Sequence, residues 1–419
     1  LQSKQIDMAH TAPQFPVYRI STDELRQAPG SQLSLLPGIN GHIHTPYSFS
    51  AFSGMEQPFL QAREEGISVL GINDFYTTDG YSDFAALALQ YRVFPLFNIE
   101  FMALQREEQQ KGLRVNDPVN PGRTYLSGKG LRYPVSMTEA SFHKMKTLQE
   151  ESNLQTRKMV DRLNLFLSTT SVQLHFDAEE VREKLARNLL RERHIAQALR
   201  LALAERFPEE TPFREALTEI FGGKTPVSPL TNLAALENEI RNNLLKAGGP
   251  AFVPEDEKAF LSLEEVIALI HDAGGIPCYP VLLDDPKGHF TDFENDWEAM
   301  ASTLAQKSIF MVELIPGRND AAILSDFVRF FDQRGFSITL GTEHNTPQPD
   351  PLTVTCRGKV ALPDPLRQIN YRGAALIAAH QYLVANGQKG FPATRFPSPE
   401  EKRTLEELGM QLIATFTQK

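Results

Sequence analysis

The 419-residue sequence predicts an α/β fold: a parallel sheet wrapped by helices and interrupted by a helical insertion. Three observations predict it. Short apolar runs alternate with stretches of helical spacing, the signature of β/α units. The runs repeatedly end in polar residues, and the carboxyl ends of parallel strands are where α/β enzymes place their chemistry. Between 138 and 248 such runs stop, and only apolar spacing of three and four remains.

The elements follow in order. Residues 1–36 are polar with scattered prolines and read as an arm packed on the surface. Strands are expected at 36–43, 68–72, 93–100, 276–279, 309–315 and 336–340, with helical patterns at 58–65, 262–271 and 321–333. The strand ends carry His42 and His44, Asn73 and Asp74, Glu100, Glu313, and Glu343 with His344. Within 138–248, Met159, Val160, Leu163, Phe166 and Leu167 mark a helical face, continued through 181–206, 213–221 and 230–245. The predicted organisation is an arm (1–36), an α/β unit (37–137 and 249–360), a helical insertion serving as lid or packing unit (138–248) and a C-terminal helical segment (361–419).

Composition narrows the function. Hydrophobic residues make up 41% and charged residues 22%, ordinary for a soluble globular chain. No apolar run is long enough to cross a bilayer. The net charge of −10 argues against a nucleic-acid partner, whose phosphates call for a basic face, and favours a small substrate. Cys278 and Cys356 are too few and too far apart for a disulfide scaffold and read as thiols of a reducing compartment. The first five residues do not look like a signal peptide, so the cytoplasm is the expected location. The chain does not begin with Met, which leaves a removed export signal open.

The chemistry starts at Asn40-Gly41-His42-Ile43-His44-Thr45. On a strand alternate side chains share a face, so His42 and His44 project together, and two imidazoles at a strand end can bind one cation. Two polar residues at a strand end are the plainer reading. Glu100, closing another apolar strand, and Gly341-Thr342-Glu343-His344-Asn345, following a third, support the cation.

These segments resemble the motifs of the PHP family, the polymerase and histidinol phosphatase group of metal-dependent phosphoesterases. His42-Ile43-His44-Thr45-Pro46-Tyr47-Ser48 resembles its opening motif and Gly71-Ile72-Asn73-Asp74-Phe75 its second. Asn98-Ile99-Glu100 is similar to the bridging-glutamate motif, and Arg191-Glu192-Arg193-His194-Ile195-Ala196 to the Arg-Pro-His-Ile-Ala segment of one branch. Gly274-Gly275-Ile276-Pro277-Cys278-Tyr279-Pro280 and Gly341-Thr342-Glu343-His344 resemble the last two. The order is kept over 38–346. The resemblance implies a distorted seven-stranded β/α (TIM-like) barrel, to which the spacing within 138–248 adds an inserted helical subdomain. It also implies a divalent metal (Mn, Zn, Fe or Mg; one or two ions) at the barrel mouth. By position His42, His44, Glu100 and Glu343 would form one site, with His194 and a shared Glu100 contributing to a second.

The departures are informative. Phe49 stands where the family often has Asp, Phe75 and Tyr279 where it has His, and Asn345 in the usual place of the last histidine. Phe has no donor atom for a cation, so a third metal is not expected. Asp74 then becomes an acceptor that orients an imidazole. Tyr279 either donates to substrate or packs. His344 is a substitute ligand, a general acid, or structural. The segment 116–130 is rich in turn residues, and its Arg123 and Lys129 are candidates to bind phosphate or carboxylate unless the loop is simply solvated. Arg318 is a further candidate. His10, His143, His175, His271, His289 and His380 match no motif and are expected to be structural or exposed. Three functions follow: a phosphoesterase acting on a small phosphorylated compound, a hydrolase of amide or lactone bonds using the same activated water, or a barrel that only binds.

Overall fold

The computed structural model describes residues 5–7, 15–27, 36–346, 348 and 350–418. Seven strands form one sheet: β1 (Gly38–Ile43), β2 (Ile67–Phe75), β3 (Phe94–Leu104), β4 (Arg123–Lys129), β5 (Ile276–Val281), β6 (Met311–Leu314) and β7 (Ser337–Leu340), hydrogen-bonded in that order. β1, β2 and β3 are parallel, as are β5, β6 and β7. β4 runs antiparallel to both its neighbours. Past the strand ends the sheet nearly closes: the Thr342 amide donates to the His42 carbonyl at 3.0 Å, and the His44 amide to the Glu343 carbonyl at 3.1 Å. The fold is an α/β, TIM-like barrel.

Both sheet faces are covered, so the strands read as near-continuous apolar runs; all eleven residues of β3 are buried. Helices α1 (Gln57–Glu65) and α2 (Tyr81–Tyr91) follow β1 and β2. α1 stops at Gly66, whose φ of 69° is the left-handed turn that glycine adopts without strain. The stretch expected to be helical is α3 (Glu139–Leu167), α4 (Ala178–Leu185), α5 (Glu192–Arg206), α6 (Glu210–Ile220) and α7 (Leu233–Ile240), the last running on into a π-turn at Arg241–Leu245. These helices bury an apolar cluster of their own, including Leu163, Leu199, Leu217 and Leu244. α8 (Leu263–Asp272) starts with a capping box in which the Ser262 and Glu265 side chains each accept from the other's amide. α9 (Trp297–Gln306) and α10 (Ala321–Gln333) flank β6 in sequence. α11 (Asp364–Ala385) and α12 (Pro399–Gln418) close the chain.

Little of the expected arm is described. Gln5–Asp7 pairs antiparallel with Ser136–Thr138, and the Phe15 ring stacks on Phe416 at 5.2 Å. His10 lies outside the described residues. Among the described residues no helix is long and apolar enough to cross a membrane.

Two expectations need correction. The sheet is mixed, because 123–129 is a strand and not a turn-rich loop. Its polar Ser127 and Lys129 are fully buried, so hydropathy could not mark it. And Glu100 does not close β3; the strand continues to Leu104.

Candidate metal centre

The first and last barrel strands bring three donors together. His42, near the end of β1, and His44, just past it, point their Nε2 atoms at each other across 3.4 Å. Glu343 follows β7, and the hydrogen bonds that close the barrel hold it here. Its Oε2 lies 3.6 Å from His44 Nε2. One ligand atom from each of His42, His44 and Glu343 fits within a 4.8 Å cluster. Glu100 of β3 approaches from the other side, its Oε2 also 3.6 Å from His44 Nε2. Both imidazoles are fully buried.

The surrounding hydrogen bonds set the tautomers. His42 Nδ1 lies 2.9 Å from Glu313 Oε2 of β6, and a carboxylate only accepts, so that nitrogen carries the proton. Ser48 donates to Asp74 Oδ1 at 2.8 Å, which leaves its oxygen to accept from His44 Nδ1 at 3.2 Å. In the neutral rings each Nε2 is therefore the unprotonated nitrogen, that of His42 with the Asn73 amide nitrogen 3.3 Å away. Two lone pairs facing at 3.4 Å repel unless a proton or cation lies between them. Two imidazole nitrogens bound tetrahedrally to one ion at about 2.1 Å stand roughly that far apart. The donor set of two imidazoles and a carboxylate suits a divalent transition metal.

Charge tells the same story. Burial pushes His42 below its usual value against the pull of Glu313. Burial acts the same way on His44, but Glu343, Glu100 and Asp74 outweigh it and leave His44 raised. Glu100 is pushed up to about 8, by burial first and then by the Glu343 and Glu313 carboxylates, over the pull of His44. For Glu343 the penalty of burial is overcome, first by Arg318 at 2.8 Å and then by the imidazoles, so it lies well below the usual carboxylate range. Carboxylates crowded around the two imidazoles are what a bound cation relieves.

No protein-family model and no curated protein sequence matches the chain. A solved structure from Bifidobacterium adolescentis, assigned as a candidate metal-dependent phosphoesterase, superposes with a TM-score of 0.52 at 18% identity, covering 82% of this chain and 99% of that one. A second, an amidohydrolase from Chromobacterium violaceum with bound sulfate and no metal, gives a TM-score of 0.48 at 15% identity over 79% and 95% of the two chains. The first likeness establishes the fold.

Other residues singled out from the sequence lie elsewhere or act differently. Asp74 accepts from the Thr45 amide at 2.7 Å, from the Thr45 hydroxyl at 2.5 Å and from Ser48, so it orients His44 through Ser48. Burial raises it to about 6. His344 is a correction: its Nδ1 meets Thr342 Oγ1 at 2.7 Å, its Nε2 meets the Asp350 carbonyl at 2.8 Å, and its ring stacks on Phe52. With both nitrogens engaged it braces the loop after β7 and lies outside the donor cluster. His194 is another. It sits in the first turn of α5, where its Nδ1 accepts from the Arg191 amide at 3.0 Å, and it is absent from the donor cluster. Burial, then Arg191 and Arg193, push it down to about 3.

Neither basic residue of 116–130 is free to meet an anion. Lys129 is fully buried inside the barrel, its Nζ 2.6 Å from Glu313 Oε2 and 3.0 Å from Asn73 Oδ1. Arg123 forms a two-pronged ion pair with Glu255. Tyr279 donates to Glu294 at 3.0 Å, so it packs behind the wall and does not face the opening.

Glu313 was marked only as a strand-end polar residue, yet it is central. It ties His42 to Lys129 and also accepts from Ser127. A lone acid inside the four-residue strand Met-Val-Glu-Leu was the available signal. Above the donors opens a cavity of about 400 Å³, lined by His42, Glu100, Glu313 and Glu343 from the barrel and by Arg191 and Arg193 from the insertion. That is within the range of small-molecule sites.

Proposed function

We propose that this chain is a metal-dependent hydrolase acting on a small phosphorylated compound through an activated water. The observation that carries the reading is the pair of facing imidazole Nε2 atoms, 3.4 Å apart beside Glu343. His42, His44 and Glu343 would hold the ion, with Glu100 next to it. When bound, a divalent cation lowers the pKa of water and neutralises charge on phosphoryl oxygens. The chain supplies the rest. Glu313 and Ser48 fix the two rings through their Nδ1 atoms, the kind of outer support that metal-binding histidines need. The barrel wall excludes bulk water from the donors, and the cavity admits a ligand of small-molecule size. Arg191 and Arg193, which line it without a carboxylate in ion-pairing distance among the described residues, favour an anionic substrate over a neutral one.

The test is elemental analysis of protein purified without chelator, followed by a phosphatase screen with Mn, Zn and Mg. Stoichiometric metal together with phosphate release is the expected result. Metal without phosphate release moves the reading to a carbonyl substrate. A chain that binds no metal, and gains no thermal stability from added Mn or Zn, would overturn it.

A further inference from the structure

The cavity above the donors is lined by six cationic side chains and six carboxylates, but the two sets are not fully paired. Four of its cationic groups are already matched: Arg123 by Glu255, Arg318 by Glu343, and Arg241 together with Lys246 by Glu192. Arg191 and Arg193 are not. Among the described residues neither has a carboxylate within ion-pairing distance. Arg191 donates to Ser152 Oγ at 2.9 Å, and the Arg193 guanidinium has no hydrogen-bond partner among the described residues. Both are only partly exposed and both line the cavity.

Their seating is specific. The Arg191 guanidinium lies over the Phe75 ring, 4.7 Å from its centroid, and 5.8 Å from that of Phe49. Arg193 lies 5.6 Å from the Phe49 centroid, on a ring that itself stacks on His44 at 4.9 Å. One aromatic ring therefore separates this charge from the metal donors. Stacking covers the flat face of a guanidinium and leaves its edge, where the N–H donors are, free for an anion. Both residues stand at the start of α5, in a segment fixed by the cap between His194 and the Arg191 amide. Burial and the neighbouring Arg241 push Arg193 down to about 10, over the pull of Glu192 and Glu343.

We propose that Arg191 and Arg193 form a paired-guanidinium clamp that binds a phosphoryl dianion in the cavity beside the His42–His44–Glu343 cluster. This deepens the phosphoesterase reading and rests on it for the identity of the anion. The helical insertion would then supply the substrate-binding half of a site whose other half is the barrel.

Inorganic phosphate is the probe, titrated calorimetrically into the full chain, both Mn-loaded and chelated, with metal per chain measured on every sample. Arg193→Met and Arg191→Gln should each raise the phosphate Kd at least tenfold while metal content stays at the wild-type level. Arg193→Lys, which keeps the charge and loses the fork, should recover part of the loss. Arg191→Gln disturbs the bond to Ser152; should it fail to fold, Arg193→Met carries the test, because Arg193 makes no hydrogen bond to lose. A phosphate Kd within twofold of wild type in Arg193→Met, or a wild-type chain that binds no phosphate, overturns the clamp. A chain that takes up no metal but still binds phosphate through these arginines sinks the hydrolase reading and leaves the clamp standing.

Discussion

Single residues decide whether the barrel mouth holds a cation, and they were unequally visible in the sequence. His42 and His44 were legible because a strand's two-residue period puts alternate side chains on one side. If they share an ion, His44→Ala lowers metal content by half or more, because His44 Nε2 is the atom that faces His42, Glu100 and Glu343 alike. His289→Ala, at an exposed side chain, leaves metal content unchanged. Elemental analysis of both variants checks this, and equal metal in the two would reject the assignment. Lys129 was misread as an anion ligand, since a lysine between glycines looks like a loop until the strand is known to lie inside a barrel. There it is the counter-charge of Glu313. Removing one partner of a buried ion pair leaves the other uncompensated, at a cost of about 3–5 kcal/mol. Lys129→Met should therefore lower the free energy of urea unfolding by about that much. A loss under about 1 kcal/mol would mean that the pair is far better solvated than its burial indicates.

Elements were readable where hydropathy and structure agree. The six expected strands are apolar runs, and their boundaries moved by only a few residues. β4 was hidden because its inward face is Ser127 and Lys129, and because Asn120-Pro121-Gly122 before it reads as a turn. His194 was read as a ligand because 191–196 resembles Arg-Pro-His-Ile-Ala; in the fold its Nδ1 closes the first turn of α5, outside the donor cluster. His380, dismissed as structural, is so in a measurable way. On α11, its Nε2 meets the Gly274 carbonyl at 2.7 Å, and its Nδ1 accepts from the Phe391 amide at 2.9 Å, joining the helix to the turn before β5 and to the following loop. Burial pushes it down to about 4, against an ordinary value near 6.5. The unfolded chain then binds the extra proton first. This contribution is complete above about pH 6.5, declines as pH falls toward 4, and levels off below. His380→Gln, which keeps a donor and an acceptor, should flatten the fall in unfolding free energy between pH 6.5 and 4 relative to wild type. Parallel pH profiles for the two proteins would contradict the assignment.

At the scale of the whole molecule, binding and folding share one seam. Glu343 reaches the imidazoles only because the segment after β7 hydrogen-bonds to β1 and the residue that follows it. Small residues let these backbones meet. A Cβ on Gly341 would stand 2.5 Å from the His42 amide nitrogen, and one on Gly41 would stand 2.4 Å from Thr339 Oγ1. Backbone cannot swing aside as a side chain can, so a methyl group at Gly341 must push the seam apart. Overpacking of this kind typically costs about 1–3 kcal/mol. Here the same displacement moves Glu343 away from His44, so metal affinity must fall together with stability. Gly341→Ala is expected to lower the melting temperature of the metal-free chain and, separately, to weaken Mn or Zn binding at least tenfold. Gly54→Ala, with open space around its Cβ position, should change neither. Stability lost with metal affinity intact would show that Glu343 does not depend on the seam, and that the donors come together by some route other than closure of the barrel.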